Sequence, residues 1–172
     1  MILDLEPVLA AAEKEFVCPV SFEAGAVDVW QGRCEISGPE SFPLHVCFHK
    51  GKGVQIEGEA DFQTKVPCDR CLTDVPLTVH ADLSRMLEVS GPYLVTDGDD
   101  TESFVSSAHE IDIDALVTDE LLLQWPSKVL CDPECKGLCP VCGQNLNLAE
   151  CGCDRFVPDP RMAKFADLFS GS

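Results

Sequence analysis

Six of the chain's eleven cysteines fall in one short stretch, as Cys131, Cys135, Cys139, Cys142, Cys151 and Cys153, and a further pair, Cys68 and Cys71, stands well upstream. Cysteines with one to three residues between them place both sulfurs on one tight turn. A disulfide across such a turn is strained, whereas a metal ion takes each sulfur on a separate bond. These spacings therefore predict metal-chelating hooks. The sharpest is Cys139-Pro-Val-Cys-Gly143. In such a knuckle, backbone N–H groups after the first cysteine point at its sulfur, and a glycine after the second adopts a positive φ without strain. Cys151-Gly-Cys153 supplies two more sulfurs, and Asn145 and Asn147 suit a tight turn between the hooks.

Cys139, Cys142, Cys151 and Cys153 thus form one candidate four-sulfur site. Cys68, Cys71, Cys131 and Cys135 form a second, which would staple the start of the cysteine-rich tail to an upstream turn. Two other partitions satisfy the same spacings. Cys135 can join Cys139 and Cys142, or Cys68 and Cys71 can meet Cys151 and Cys153. Two zinc ions are preferred over one mixed site, and zinc over iron–sulfur, because closed all-thiolate sites at knuckle spacing suit it. The tail has few apolar residues, so metal would supply much of its order, on the order of 10 kcal/mol. Cys68-Asp-Arg-Cys71 also has the spacing of a redox dithiol, but such motifs open a helix beside a parallel sheet, and here strands lead in and out. Cys18, Cys34 and Cys47 lie in alternating apolar segments and read as buried core thiols.

The first twelve residues carry Asp4 and Glu6 where a secretory signal would be basic, and no apolar run is long enough to span a membrane. A cytoplasmic protein is expected, with reduced thiols. The formal net charge is −18, which argues against a nucleic-acid clamp. No Lys or Arg occurs between Arg85 and Lys128, where ten acidic residues fall. Such acidity serves either to keep the chain in solution or as an acidic face for a basic partner. The tail is near neutral, with Lys128, Lys136, Arg155, Arg161 and Lys164 among its acids.

The expected fold is α+β, with a twisted antiparallel sheet or barrel-like β body, a few helices and a C-terminal zinc-ribbon-like segment. The body covers 1–127, and the metal-binding tail with its closing helix covers 128–172 and packs on it. A helix runs from Asp4 to about Lys14. One strand region holds Val27, Val29, Cys34 and Ile36. Leu44, Val46 and Phe48 alternate in another. Val54 to Val66 alternate over a long strand ending at Pro67, and Leu77, Val79, Ala81 and Leu83 return. The Cys68–Cys71 turn joins these last two. Residues 91–110 read as a mobile loop. Asp112 or Asp114 caps a helix that Trp125-Pro126 stops. Met162, Phe165, Ala166 and Phe169 mark a last helix.

Several segments together resemble the YceD family, a bacterial and plastid group described as large ribosomal RNA subunit accumulation proteins. They are Cys68-Asp-Arg-Cys-Leu72, the helix running into Trp125-Pro126, Cys131-Asp-Pro-Glu-Cys-Lys-Gly-Leu-Cys-Pro-Val-Cys-Gly143 and Asp159-Pro-Arg161. The resemblance implies a non-enzymatic role in synthesis, processing or stability of the large ribosomal RNA. On that footing the acidic face would hold a basic ribosomal protein or a basic patch of a pre-ribosomal large subunit. The alternative is direct contact with ribosomal RNA through Lys128, Lys136, Arg155, Arg161 and Lys164. No nucleophile–base pair, phosphate loop or carboxylate pair supports an enzyme, and four sulfurs on one zinc leave no place for water.

Overall fold

The structure, a computed structural model, describes residues 1–10, 14–49, 53–90, 93–95 and 104–154. The closing helix expected over 159–169, with Arg155, Arg161 and Lys164, lies outside them. The chain divides into two compact units, one of Met1–Val66 with Val75–Ser127 and one of Pro67–Asp74 with Lys128–Ser172.

The first unit is mostly sheet. Its elements in chain order are β1 (Ile2–Asp4), α1 (Glu6–Leu9), β2 (Glu15–Val20), β3 (Ala26–Val29), β4 (Gly32–Glu35), β5 (Phe42–His49), β6 (Gly53–Glu57), β7 (Glu59–Pro67), β8 (Asp74–Asp82), β9 (Arg85–Leu87), β10 (Val89–Ser90), β11 (Tyr93–Leu94), β12 (Glu110–Asp112) and α2 (Ile113–Gln124). β7 and β8 reach into the second unit at their tip. The largest sheet runs β2-β5-β6-β9, with Val46 opposite both Phe16 and Ile56. The remaining strands pair two by two, β1 with β12, β3 with β4, β7 with β8 and β10 with β11. Among the described residues no sheet closes into a barrel, and no helix is long and apolar enough to cross a membrane.

Alternation sets which side chains enter the core. Phe42, Leu44 and Val46 of β5 are buried while Pro43 and His45 face solvent, and Ala60, Phe62, Thr64 and Val66 of β7 are buried between exposed Glu59, Asp61, Gln63 and Lys65. Each large side chain so buried contributes roughly 1.5–3 kcal/mol. Ile113, Leu116, Val117 and Leu121 give α2 its buried stripe, and the Asp112 carboxylate caps it by accepting the Asp114 N–H at 3.0 Å.

Several boundaries differ from the sequence reading. The long strand from Val54 to Pro67 is two strands broken at Gly58. There the backbone passes so close to β5 that a Cβ would sit 2.9 Å from Leu44 Cδ1, and β6 pairs with β5 while β7 leaves to pair with β8. The region around Val27 and Cys34 is a hairpin of two strands, turning before Gly32 at φ 118°. The first helix is one turn, because Ile2–Asp4 is drawn into pairing with β12 and β2 begins at Glu15; Asp4 still accepts the Glu6 N–H at 2.8 Å. Residues 11–13 of that expected helix lie outside the described residues.

The expected mobile loop is structured at both flanks. Leu94 and Phe104 are buried, and Val105 bridges Ile111; 91, 92 and 96–103 lie outside the described residues. Cys34 is buried as expected, but Cys18 and Cys47 are only half-buried.

Among the described residues, three acids of the stretch after Arg85 are engaged within the fold. Asp112 caps α2, Asp114 accepts the backbone N–H groups of Glu23 and Ala24, and Glu120 is buried against the Arg85 guanidinium. Asp97, Asp99, Asp100 and Glu102 lie outside the described residues.

Candidate metal centres

The second unit contains two turns of the same build. In one, the Leu72 N–H donates to the Cys68 carbonyl at 2.9 Å and the Cys68 N–H to the Thr73 carbonyl at 2.8 Å. In the other, the Gly143 N–H donates to the Cys139 carbonyl and the Cys139 N–H to the Gln144 carbonyl, both at 2.8 Å. Cys-x-x-Cys followed by a left-handed residue thus folds into the same knuckle twice. Gly143 has φ 74°, as the sequence predicts, but the corresponding residue of the first knuckle is Leu72, at φ 61° and well exposed.

A leucine held there is strained by roughly 1–2 kcal/mol, partly offset by the greater freedom glycine has when unfolded. Leu72→Gly should therefore stabilise the second unit by about 0.5–1 kcal/mol, read as a raised denaturation midpoint. A lowered midpoint would mean the leucine side chain is needed there.

The first knuckle faces the turn of Cys131 and Cys135, where the Cys135 N–H reaches the Asp132 carbonyl at 3.0 Å. Asp69 and Arg70, between the two cysteines, tie this turn down. The Asp69 N–H donates to the Val129 carbonyl, and its carboxylate accepts the Val129 N–H. Arg70 donates to the Cys135 carbonyl at 2.7 Å, and its own carbonyl accepts the Leu138 N–H. Gly137, at φ 76°, permits this approach, since a Cβ there would lie 3.0 Å from the Arg70 oxygen.

The result is two groups of four sulfurs. Cys68, Cys71, Cys131 and Cys135 form one, and Cys139, Cys142, Cys151 and Cys153 the other. Within each group all the sulfurs lie within 4.8 Å of one another. Cys71 and Cys131 are 3.4 Å apart and Cys68 and Cys135 3.9 Å. All eleven cysteines are free thiols. Sulfurs at about 2.3 Å from a tetrahedral ion stand about 3.8 Å from each other, so both groups are positioned to hold a metal ion.

The electrostatics suit a cation. Burial works to raise the Cys68 thiol, but N–H groups of Arg70, Cys131 and Cys71 outweigh it and bring it down to about 6. Backbone N–H groups of Cys142 and Val141 bring Cys139 down to about 6. Crowding against Cys71 and Cys135 pushes Cys131 up to about 12, and Cys142 does the same to Cys153. Each group thus holds one ready thiolate and one thiol that keeps its proton until a positive charge arrives.

Metal uptake at neutral pH should therefore release protons, one each from Cys131 and Cys153 at least, and affinity should rise with pH. Below about 6 protons also compete for Cys68 and Cys139, so affinity should fall more steeply there. Titration calorimetry in buffers of different ionisation enthalpy reads the proton count. Uptake without proton release would contradict this picture.

Among the candidate RNA-contacting residues, Lys128 and Lys136 are exposed on this unit. One participant has no local signature in the sequence beyond its turn propensity. The Asn147 side-chain amide donates to Cys135 Sγ at 3.2 Å, from a loop between the hooks of the other group. Only the folded chain brings these residues together.

Residues 56–169 match the family described as large ribosomal RNA subunit accumulation protein YceD. An uncharacterized protein of Mycobacterium tuberculosis is 32% identical over 119 residues, which are 68% of this chain and 56% of that protein. The Arabidopsis thaliana protein named large ribosomal RNA subunit accumulation protein YCED homolog 1, chloroplastic, is 39% identical over 159 residues, covering 76% of this chain and 50% of the relative. The chain spans about half the length of the curated relatives it matches. No solved structure matches it. With the matched segment running through both four-cysteine groups, the chain belongs to the YceD family.

Proposed function

We propose that this protein is a non-enzymatic factor supporting the accumulation of large-subunit ribosomal RNA, that both four-cysteine groups hold structural zinc, and that its acidic surface docks a basic component of the maturing large subunit. The family description and the name of the Arabidopsis relative support the process. The observation that carries the non-enzymatic reading is the donor set. Each group offers four thiols, and a zinc ion closed by four sulfurs has no position for water or substrate. The segment from Lys128 is then a zinc-ribbon-like, metal-ordered tail following a β-rich body over 1–127.

The charge of −18 supports a basic partner. Glu57, Glu59, Asp61 and Asp82 are exposed carboxylates of β6, β7 and β8, and three of them line an open groove of about 380 Å³ with Pro43 and His45. Such a surface attracts Lys- and Arg-rich partners at a range set by salt.

The tagged chain should recover large-subunit ribosomal proteins or assembly intermediates from cell extract at low salt and lose them at high salt. Replacing Glu57, Glu59 and Asp82 with lysine should abolish recovery. If low salt recovers no ribosomal component, the docking role fails. RNA contact through the exposed Lys128 and Lys136, with Arg155, Arg161 and Lys164, becomes the better reading if the purified chain retains large-subunit RNA on a filter and charge reversal at Lys136 and Arg155 abolishes it.

A further inference from the structure

Asn147 occupies an unusual position in the second unit. It belongs to the loop between Cys142 and Cys151, so the sulfurs of the second group bound its segment at both ends. Yet its side-chain amide donates to Cys135 Sγ, a sulfur of the first group, at 3.2 Å. Its Oδ1 accepts the N–H of Lys136, the residue after that cysteine, at 2.7 Å. The amide is oriented by Asn145, whose Oδ1 accepts both the Asn147 N–H at 3.0 Å and its Nδ2 at 2.9 Å.

The same loop lies against the strand-like run after Cys135. The Leu146 N–H donates to the Gly137 carbonyl at 2.9 Å, Leu138 bridges Asn145, and Leu146 is buried. A loop clamped by one group of sulfurs therefore delivers a hydrogen bond to a sulfur of the other.

We infer that Asn147 is a positioning residue that couples the two groups, so that metal in the second raises the affinity of the first. This inference rests on the reading that both groups bind metal. A thiolate that accepts an N–H bond carries less negative charge, which lowers the repulsion among four sulfurs on one ion. Outer hydrogen bonds of this kind change metal affinity by about 10–100-fold. The bond exists only while residues 144–149 keep their path, and metal on Cys139, Cys142, Cys151 and Cys153 holds both ends of that path. Linkage is reciprocal, so metal in the first group raises the affinity of the second by the same factor.

The test uses cadmium(II) on the full chain. Cadmium NMR gives a separate resonance for each group, and competition with a chelator of known affinity gives each constant. Three variants separate positioning from plain structure. Asn147→Ala removes the amide. Asn147→Asp keeps an oxygen to accept the Lys136 N–H but cannot donate to sulfur. Cys151→Ser with Cys153→Ser disables the second group and leaves Asn147 in place.

Both Asn147 variants should weaken the first group about 10–100-fold and shift its cadmium resonance. Disabling the second group should weaken the first by a similar factor, and adding Asn147→Ala to that chain should cost little more. If Asn147→Asp behaves as wild type, or if the two effects simply multiply, the coupling is wrong although both metals bind. If the wild-type chain shows no cadmium resonance at either group, the metal reading itself falls, and this inference with it.

Discussion

Removing metal with a strong chelator should unfold the cysteine-rich unit and leave the β unit folded. Among the described residues of the second unit, the buried aliphatic side chains are Val129 and Leu146; the other buried apolar residues are Cys68, Cys71, Cys135 and Cys139. Two such side chains contribute roughly 1.5–3 kcal/mol each. Ordering the backbone costs about 1–2 kcal/mol per residue, and the segment from Lys128 to Asp154 is far too long for that contribution to offset. Structural zinc contributes on the order of 10 kcal/mol per site, several times what these two side chains supply.

Amide hydrogen exchange should show 128–154 losing its protection on chelation, while β5, β6 and α2 keep theirs. Zinc should then restore it at two ions per chain, one for each four-sulfur group. Unchanged protection in the metal-free chain would overturn the account of what orders this unit.

Phe62→Ala should cost the β unit about 3–5 kcal/mol. The ring is 1% exposed and meets two others edge-on, Phe22 at 5.6 Å between centroids and Phe42 at 6.2 Å. It also fills the space above Gly38, where a Cβ would come within 2.5 Å of it. A neighbourhood shaped this closely to one ring collapses only partly when the ring is removed, so the cavity term adds to the lost burial. Denaturant titration should show a lower midpoint at unchanged slope. Metal content should stay at the wild-type value, because all eight grouped cysteines belong to the other unit. A loss below about 1 kcal/mol would mean that the three rings are not the packing centre they form here.

Much of the β unit was legible because its strands have one buried face. The alternation of Leu44, Val46 and Phe48 places β5, and Asp112 with Trp125-Pro126 brackets α2. Strand breaks were not legible. Ile56, Ala60 and Phe62 keep pointing inward on both sides of Gly58, so the pattern reads through a point where the partner changes from β5 to β8. β1 was missed because a strand of three residues has no period to detect. The ordered flank at Phe104 was missed for a related reason. A single apolar residue in a polar stretch carries no periodic signal, yet it is buried once Val105 reaches Ile111.

Which cysteines act as hooks is a local property. A turn with one to three residues between its cysteines brings their two sulfurs together whatever the rest of the chain does, so spacing alone identified all four hooks. Which hooks share a group is not local, since several partitions satisfy the same spacings. The path of the chain decided it. The β7–β8 hairpin presents Cys68 and Cys71 at its tip, and Asp69 and Arg70 bind the backbone around Val129, Cys135 and Leu138, bringing the Cys131–Cys135 turn against that tip. Hydrogen bonds across some sixty residues of sequence leave no trace in spacing, because they depend on where the backbone returns in space.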